Sequence, residues 1–482
     1  MLSLYSLVVL LSSVSVCVPG VSAGPVLLDR SSPCLSELKH LHARQQVTVQ
    51  IPPNISGHWV SNSCEVRPGP EFLTRSYIFH PNHTFDALQF YYEDSRCRRP
   101  VYSLRVRGGF GPAQASWLVR GAAACEYRLT SVALRCHGPA AAELVQRRLD
   151  PACARQIRLR PGEAFEMWAE PLDCTRGLGF TMQELRLIRV ERRGRHGDAG
   201  GRVEEELFLG DVHTERAQRR LHQPSGYQTP LHSAKSDDRI CQIVASADLH
   251  HPPVLPAQSE RPVRLDGHWV SVRCEARPGV LFLTRRLAFH EHTHTWEGEY
   301  EHFSDPVCRH PTFSISASGR YTRGDPSDTV MGAVEFTFTV THMTVTPMDA
   351  ATTSLLSVFS GRVSVCGEGS WERGVPQDVT STGGCVALGI RLPHTEYELF
   401  TIGWDSSGHS LLYNGQRPTN GSSPDRVERR PTSYQPPLTR CDPPHASREG
   451  DQHFRLSAAS HTQIIDGFGV LVVVYVFTPL DF

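Results

Sequence analysis

His290, Glu291 and His294 stand in the spacing His-Glu-x-x-His. On a helix that pattern places two imidazoles on one face for a zinc ion, with the carboxylate beside them as general base. Here the residues follow one alternating run, LTRRLAFH, and precede another, TWEGEYEHF. That context reads as a hairpin turn, so a metal-dependent hydrolase is the weakest of the functional readings. The chain holds 24 histidines, and His250-His251 with His292 and His294 could meet a metal ion. Solvated surface imidazoles account for them better. No Gly-x-Ser-x-Gly elbow, phosphate-cradling glycine loop or Cys-x-x-Cys pair occurs. The expectation is a protein with no catalytic residue, no metal and no cofactor.

Cysteine and asparagine carry the remaining chemistry. The chain has 14 cysteines. An apolar stretch, LYSLVVLLSSVSVCV, runs into the small residues Val21-Ser22-Ala23, the pattern of a secretory signal over 1–23. Its removal takes Cys17 and leaves cysteines that an oxidising compartment turns mostly into disulfides. Five have counterparts elsewhere in the chain: Cys64 with Cys274, Cys97 with Cys308, Cys153 with Cys366, Cys174 with Cys385 and Cys241 with Cys441. The simplest scheme that respects those counterparts joins Cys64 to Cys97, Cys274 to Cys308, Cys153 to Cys174 and Cys366 to Cys385, although spacing alone leaves connectivity open. Cys34, Cys125 and Cys136 have no counterpart. Sequons at Asn54, Asn82 and Asn420 fit a glycosylated surface. Lys and Arg number 49 against 50 Asp and Glu, with no basic block, so nucleic acid is not an expected partner.

These counterparts arise because the chain is a duplication. GHWVSNSCEVRPGPEFLTRSYIFH from Gly57 and GHWVSVRCEARPGVLFLTRRLAFH from Gly267 agree at 16 of 24 positions without a gap. Weaker echoes run to PSGYQTPL and PTSYQPPL. Each unit spans roughly 180 residues, enough to bury its own core. The expected organisation is a signal peptide over 1–23, a lead-in over 24–49, a first unit over 50–241, a Pro-rich connector over 242–263, a second unit over 264–441, and a polar stalk with a short apolar tail over 442–482. In that tail Gly467–Phe477 is too short for the roughly 20 residues of a spanning helix. A strand, a truncated anchor and a processed lipid-anchor signal all remain open, so the protein is either secreted or held at the plasma membrane.

Period two dominates both units. Tyr102, Leu104 and Val106 alternate with polar neighbours, as do Phe336, Phe338 and Val340. A phase shift after Leu129 recurs after Val340, the mark of a β-bulge or sharp bend. One short helix is expected in each copy, at AAAELVQ and AATTSLLSV. The fold class is therefore all-β with minor helices: two tandem antiparallel β-barrels of about eight to ten strands, lipocalin-like in character. The Gly-x-Trp entries place Trp59 and Trp269 on the first strands, with Arg75 and Arg285 on the apolar face where an aromatic ring would partner them. The inward positions, and hence the candidates for a ligand pocket, are Tyr77, Phe79, Tyr102, Leu104 and Val106 in the first unit. In the second they are Leu287, Phe289, Phe313, Ile315, Phe336 and Phe338. A barrel of about eight strands either fills with such side chains or holds one small ligand, such as a fatty acyl chain or other lipid.

The blocks GHWVSxxCExRPG and FLTR, with SDPVCRHPTFSI, THMTVTPMDAATTSLLSVF, GCVALGIRLPHTEYELF and NGQRPTNGSSPDR, closely resemble the adenomatosis polyposis coli down-regulated proteins. The resemblance covers Cys34 to Cys441. The lead around Cys34 and the Ala-rich 120–170 stretch are more similar to the "-like" branch than to the founding member. It implies a glycoprotein of the secretory pathway that restrains Wnt signalling upstream of β-catenin. Its implied partners are Wnt ligands and their low-density-lipoprotein-receptor-related co-receptor, and a homo-oligomer is compatible with the chain. A lipid carrier without Wnt activity is the rival reading.

Overall fold

The computed structural model describes residues 34, 47–169, 172–194, 203–257, 262–359, 366–405 and 408–441. The expected signal peptide and apolar tail lie outside the described residues.

Alternation becomes strand in both units. The first is built from β1 (Gly57–Val60), β2 (Glu71–Phe79), β3 (Thr84–Tyr92), β4 (Pro100–Phe110), β5 (Tyr127–Cys136), β6 (Ile188–Gly194), β7 (Val203–Leu209) and β8 (Leu231–Ser233). The second repeats them as β9 (Gly267–Ser271), β10 (Leu281–His290), β11 (Thr295–Phe303), β12 (Pro311–Pro326), β13 (Val334–Pro347), β14 (His394–Trp404), β15 (Ser410–Asn414) and β16 (Leu438–Arg440). The shared order is β5-β4-β3-β2-β1-β8-β7-β6 in one and β13-β12-β11-β10-β9-β16-β15-β14 in the other. All these pairings are antiparallel. The repeated phase shift is a bulge at matched places: Arg107 faces Ser131 and Gly108 faces Leu129, while Ser318 faces His342 and Gly319 faces Val340. A Cβ on either glycine would collide with the carbonyl of the facing strand, Arg128 or Thr339.

The two units differ in closure. In the second, Val334–Val340 of β13 pairs with His394–Phe400 of β14, and the eight strands form a closed barrel. In the first, that seam is missing and the sheet stays a half-open curl, which corrects the expectation of two barrels. The local sequences explain it. HTEYELF alternates and carries β-formers, so it extends into strand. The matching TMQELRL is rich in helix-formers, and Gln183–Arg186 coils into a 3-10 turn. The edge of β6 is met instead by the short strand Ala123–Ala124, at Ile188.

The helices α1 (Pro139–Arg148), α2 (Pro151–Gln156), α3 (Arg239–Ala245) and α4 (Ala350–Phe359) are the main helical elements among the described residues. Each unit's long excursion, α1–α2 or α4 with its following loop, is closed by a disulfide, Cys153–Cys174 or Cys366–Cys385. Cys64–Cys97 and Cys274–Cys308 complete the four pairs that respect the duplication. A fifth bridge, Cys34–Cys441, ties the lead-in to the end of the second unit. Cys241, the counterpart of Cys441, is unbridged and buried, as are Cys125 and Cys136.

The units meet through equivalent surfaces. Gly69 donates its amide to Thr432 Oγ1 (2.8 Å) and Gly279 to Ser225 Oγ (2.9 Å). Phe72, Tyr92 and Cys97 pack with Val330, Ala333 and Leu399. Phe282, Phe303 and Cys308 pack with Val119, Ala122 and Leu187. One patch is used twice, as in a two-fold dimer, but within a single chain.

Candidate ligand chamber in the second barrel

Each lumen has an apolar layer and a polar layer. The polar layer grows from the repeated SxxCE segment. Ser61 Oγ donates to Glu65 Oε1 (2.5 Å), which also accepts from Arg75 Nε (3.0 Å). Ser271, Glu275 and Arg285 repeat the arrangement at 2.7 and 2.9 Å. Both arginines are buried. Their partner is therefore a carboxylate on the neighbouring strand, which corrects the expected stacking on Trp59 and Trp269. Arg75 lies over Tyr77 (5.8 Å to the centroid), and the arginine over Trp269 is Arg440, also at 5.8 Å. The two tryptophans are buried and donate their indole N–H to Ile55 O (2.7 Å) and Leu265 O (2.6 Å), four residues upstream. Glu65 and Glu275 escaped the sequence reading, although their recurrence four residues after a serine was visible.

The first lumen is filled. Tyr77, Phe79, Tyr102, Leu104 and Val106 are all buried and belong to one continuous core that includes α1 and the Cys153–Cys174 bridge. Its polar layer is also satisfied. Glu184, 2 % exposed, accepts from Arg67 Nη2 (2.6 Å), Gln228 Nε2 (2.6 Å) and the Tyr77 hydroxyl. Burial would push the Glu184 carboxyl up, but Arg67 and Arg75 outweigh it and hold it below the usual range. Burial raises the Tyr77 hydroxyl well above its ordinary value, with Glu184 adding to the effect.

The second lumen divides in two. Trp269, Leu287, Phe289, Trp296, Tyr321, Phe336, Phe338 and Phe400 form a sealed aromatic plug, with Phe289 edge-on to Tyr321, Phe338 and Phe400 at 6.0–6.1 Å. Toward the other end, Tyr300, His302, Phe313, Ile315 and Met343 are only half-buried. Their cross-strand pairing with inward residues puts them on the lumen face: Tyr300 faces Ile315, His302 faces Phe313, and Ala317 faces Met343. Phe313 stacks on His302 at 4.3 Å. Ile315 and Met343 also touch a separate cluster formed by Leu356 of α4, Trp371, Val379 and the Cys366–Cys385 bridge. The helical excursion thus covers this end of the barrel, with Met343 packing against both the plug and the excursion's cluster. Two glutamates of β14, Glu396 and Glu398, face the same space opposite Phe338 and Phe336.

A concavity of about 1770 Å³ lies between the units. Its charged walls pair with one another: Arg273 reaches both oxygens of Glu206 (2.9 Å each), Arg193 reaches Glu206 (3.1 Å) and Arg189 reaches Glu191 (2.7 Å). Such a lining does not select an apolar chain.

His290 ends β10, and Glu291 to His294 form an exposed turn into β11. No helix brings His290 and His294 together. Among the described residues no group of three His, Cys, Asp or Glu side chains could hold a metal ion. No helix among them is long and apolar enough to cross a membrane. Asn54, Asn82 and Asn420 are exposed.

The fold thus defines a duplicated, disulfide-bonded pair of antiparallel β-domains. The family model for Adenomatosis polyposis coli down-regulated 1 matches residues 33–256 and again 257–447, and the chain belongs to that family. Its members are not catalytic, they are associated with the Wnt pathway, and membership implies an extracellular or secreted context.

Proposed function

We propose that the chain is an extracellular inhibitor of Wnt signalling that captures the ligand by its fatty acyl group in the second barrel, keeping it from its receptors and from the low-density-lipoprotein-receptor-related co-receptor. The observation that carries this reading is the contrast between the lumens. All five pocket candidates of the first unit are sealed, whereas Phe313 and Ile315 of the second remain half-buried beside the helical excursion's cluster. Burying an acyl chain contributes about 0.8 kcal/mol per CH₂. A dozen methylenes then contribute roughly 10 kcal/mol, comparable to the cost of association. In this reading Leu287, Phe289, Phe336 and Phe338 form the floor on which the chain ends. The test is a pull-down of acylated Wnt against an unacylated Ser→Ala Wnt, with Ile315→Trp as a chamber-filling variant. Capture of the acylated form alone, lost in Ile315→Trp, is the expected result. Equal capture of both forms would refute it. A lipid carrier without Wnt activity would bind free fatty acid yet leave a Wnt reporter unchanged.

A further inference from the structure

The polar layer of the second barrel holds a buried carboxylate oxygen without the donors that the first unit supplies to its own buried carboxylate. In the first unit, Gln228 Nε2 donates both to Gly210 O (2.6 Å) and to Glu184, and the Arg67 guanidinium completes that carboxylate's shell. In the second unit the echo residues are present but rearranged. Gln435 still donates to Gly415 O, yet the carboxylate against Gly415 is Glu398. Arg277, the counterpart of Arg67, is turned to Glu275 (2.6 Å). The position of Tyr77 is taken by Leu287. Glu398 is 5 % exposed, and its Oε2 is buried without a hydrogen-bond partner. A buried polar atom in that state costs on the order of 1–3 kcal/mol, and more when charged.

The surrounding groups say what is missing. Arg285 is occupied by Glu275, Asn414 (2.6 Å) and Pro436 O (2.7 Å). Arg417 is held by Glu396, which also accepts from His394 (3.0 Å). These two cations are thus committed elsewhere, and Oε2 is left without a donor. Burial, with the Glu396 charge adding to it, pushes the Glu398 carboxyl up to about 8. A cation at this place would relieve both effects. Tyr300 lies within electrostatic reach of Glu398 and faces Ile315 across β11 and β12, and both are half-buried.

We propose that the second barrel is a binding site for a compact amphipathic amine, its ammonium group seated at Glu398 and its apolar body against Tyr300, Ile315 and Met343. The inference rests on the reading that this chamber admits an apolar chain, and adds a head-group preference that an acyl chain does not exploit.

Isothermal titration calorimetry of the purified full chain at pH 7.4 with octylamine, octanol and octanoate tests it. Octylamine should bind at least tenfold more tightly than octanol, and octanoate more weakly than either. Glu398→Gln should abolish the amine preference while leaving octanol binding in place. Ile315→Trp should lose octylamine and octanol together, which checks that both occupy the chamber. Octanol and octylamine binding alike to the unaltered chain, or a preference that survives Glu398→Gln, would overturn the amine site alone. Failure of every probe would overturn both the amine site and the acyl-chain reading.

Discussion

Replacing Arg75 by Met should unfold the first unit far more easily than any change to Trp59 that keeps an aromatic ring. The guanidinium is fully buried and contacts Glu65 through Nη2 (2.7 Å) and Nε (3.0 Å), Thr229 O (2.8 Å) and, at 3.8 Å, Glu184. Methionine fills much of the volume and supplies none of these contacts. Glu65 would be left with Ser61 as its hydrogen-bond donor, a buried charge without a counter-charge. Breaking one side of a buried pair costs about 3–5 kcal/mol. For a unit of this size each kcal/mol lowers the melting temperature by roughly 2–4 °C, so Arg75→Met should melt about 6–20 °C lower. Removing both charges is a smaller insult. Arg75→Met with Glu65→Leu should recover most of the loss, apart from about 1 kcal/mol for the orphaned Thr229 carbonyl. The assay is thermal unfolding of the four members of the double-mutant cycle, with Trp59→Phe as the reference. An Arg75→Met chain that melts within about 3 °C of the parent, or a double variant worse than the single, would refute the carboxylate partnership. The same cycle at Arg285 and Glu275 should show a smaller loss, because Arg277 (2.6 Å) stays beside Glu275 as a counter-charge.

Two further outcomes follow from the joint between the units. Loss of the Cys34–Cys441 bridge in Cys34→Ser should destabilise the chain by less than the loop-closure value of about 6 kcal/mol for a separation of 407 residues, because the paired interface already holds the ends together; comparing thermal melts of parent and variant, a loss near that full value would show that the interface contributes little without the bridge. Burial raises the Glu206 carboxyl, but Arg273 and Arg193 outweigh it and hold it at about 2. A depressed carboxyl contributes stability that is present above its unfolded value near 4.5 and lost as pH falls toward 2, here on the order of 3 kcal/mol. Limited proteolysis between pH 6 and pH 2.5 should therefore find the joint opening in the parent, while Glu206→Gln is weakened already at pH 6 and changes less on acidification; identical profiles would remove Glu206 from the account.

The duplication, the strand periods, the bulges and the helical excursions were all legible in the chain, because each depends on local alternation and on a repeat long enough to align with itself. Ser61 and Glu65 lie close in sequence, and their recurrence as Ser271 and Glu275 could have revealed the carboxylate partners of the arginines. Tertiary structure decided the rest. Closure of a barrel depends on whether β5 and β6, or β13 and β14, find each other across long connections. In the first unit a few helix-forming residues ahead of β6 were enough to prevent it. Inwardness was readable from period two, but occupancy was not. Tyr102 and Phe313 hold comparable inward positions on β4 and β12, yet one is sealed beneath α1 and the other borders a chamber, because that outcome depends on how distant segments pack above them. The unpartnered Oε2 of Glu398 is of the same kind: it arises from where Arg277, Leu287 and Gln435 come to rest around it, a relation among residues from separate strands and loops.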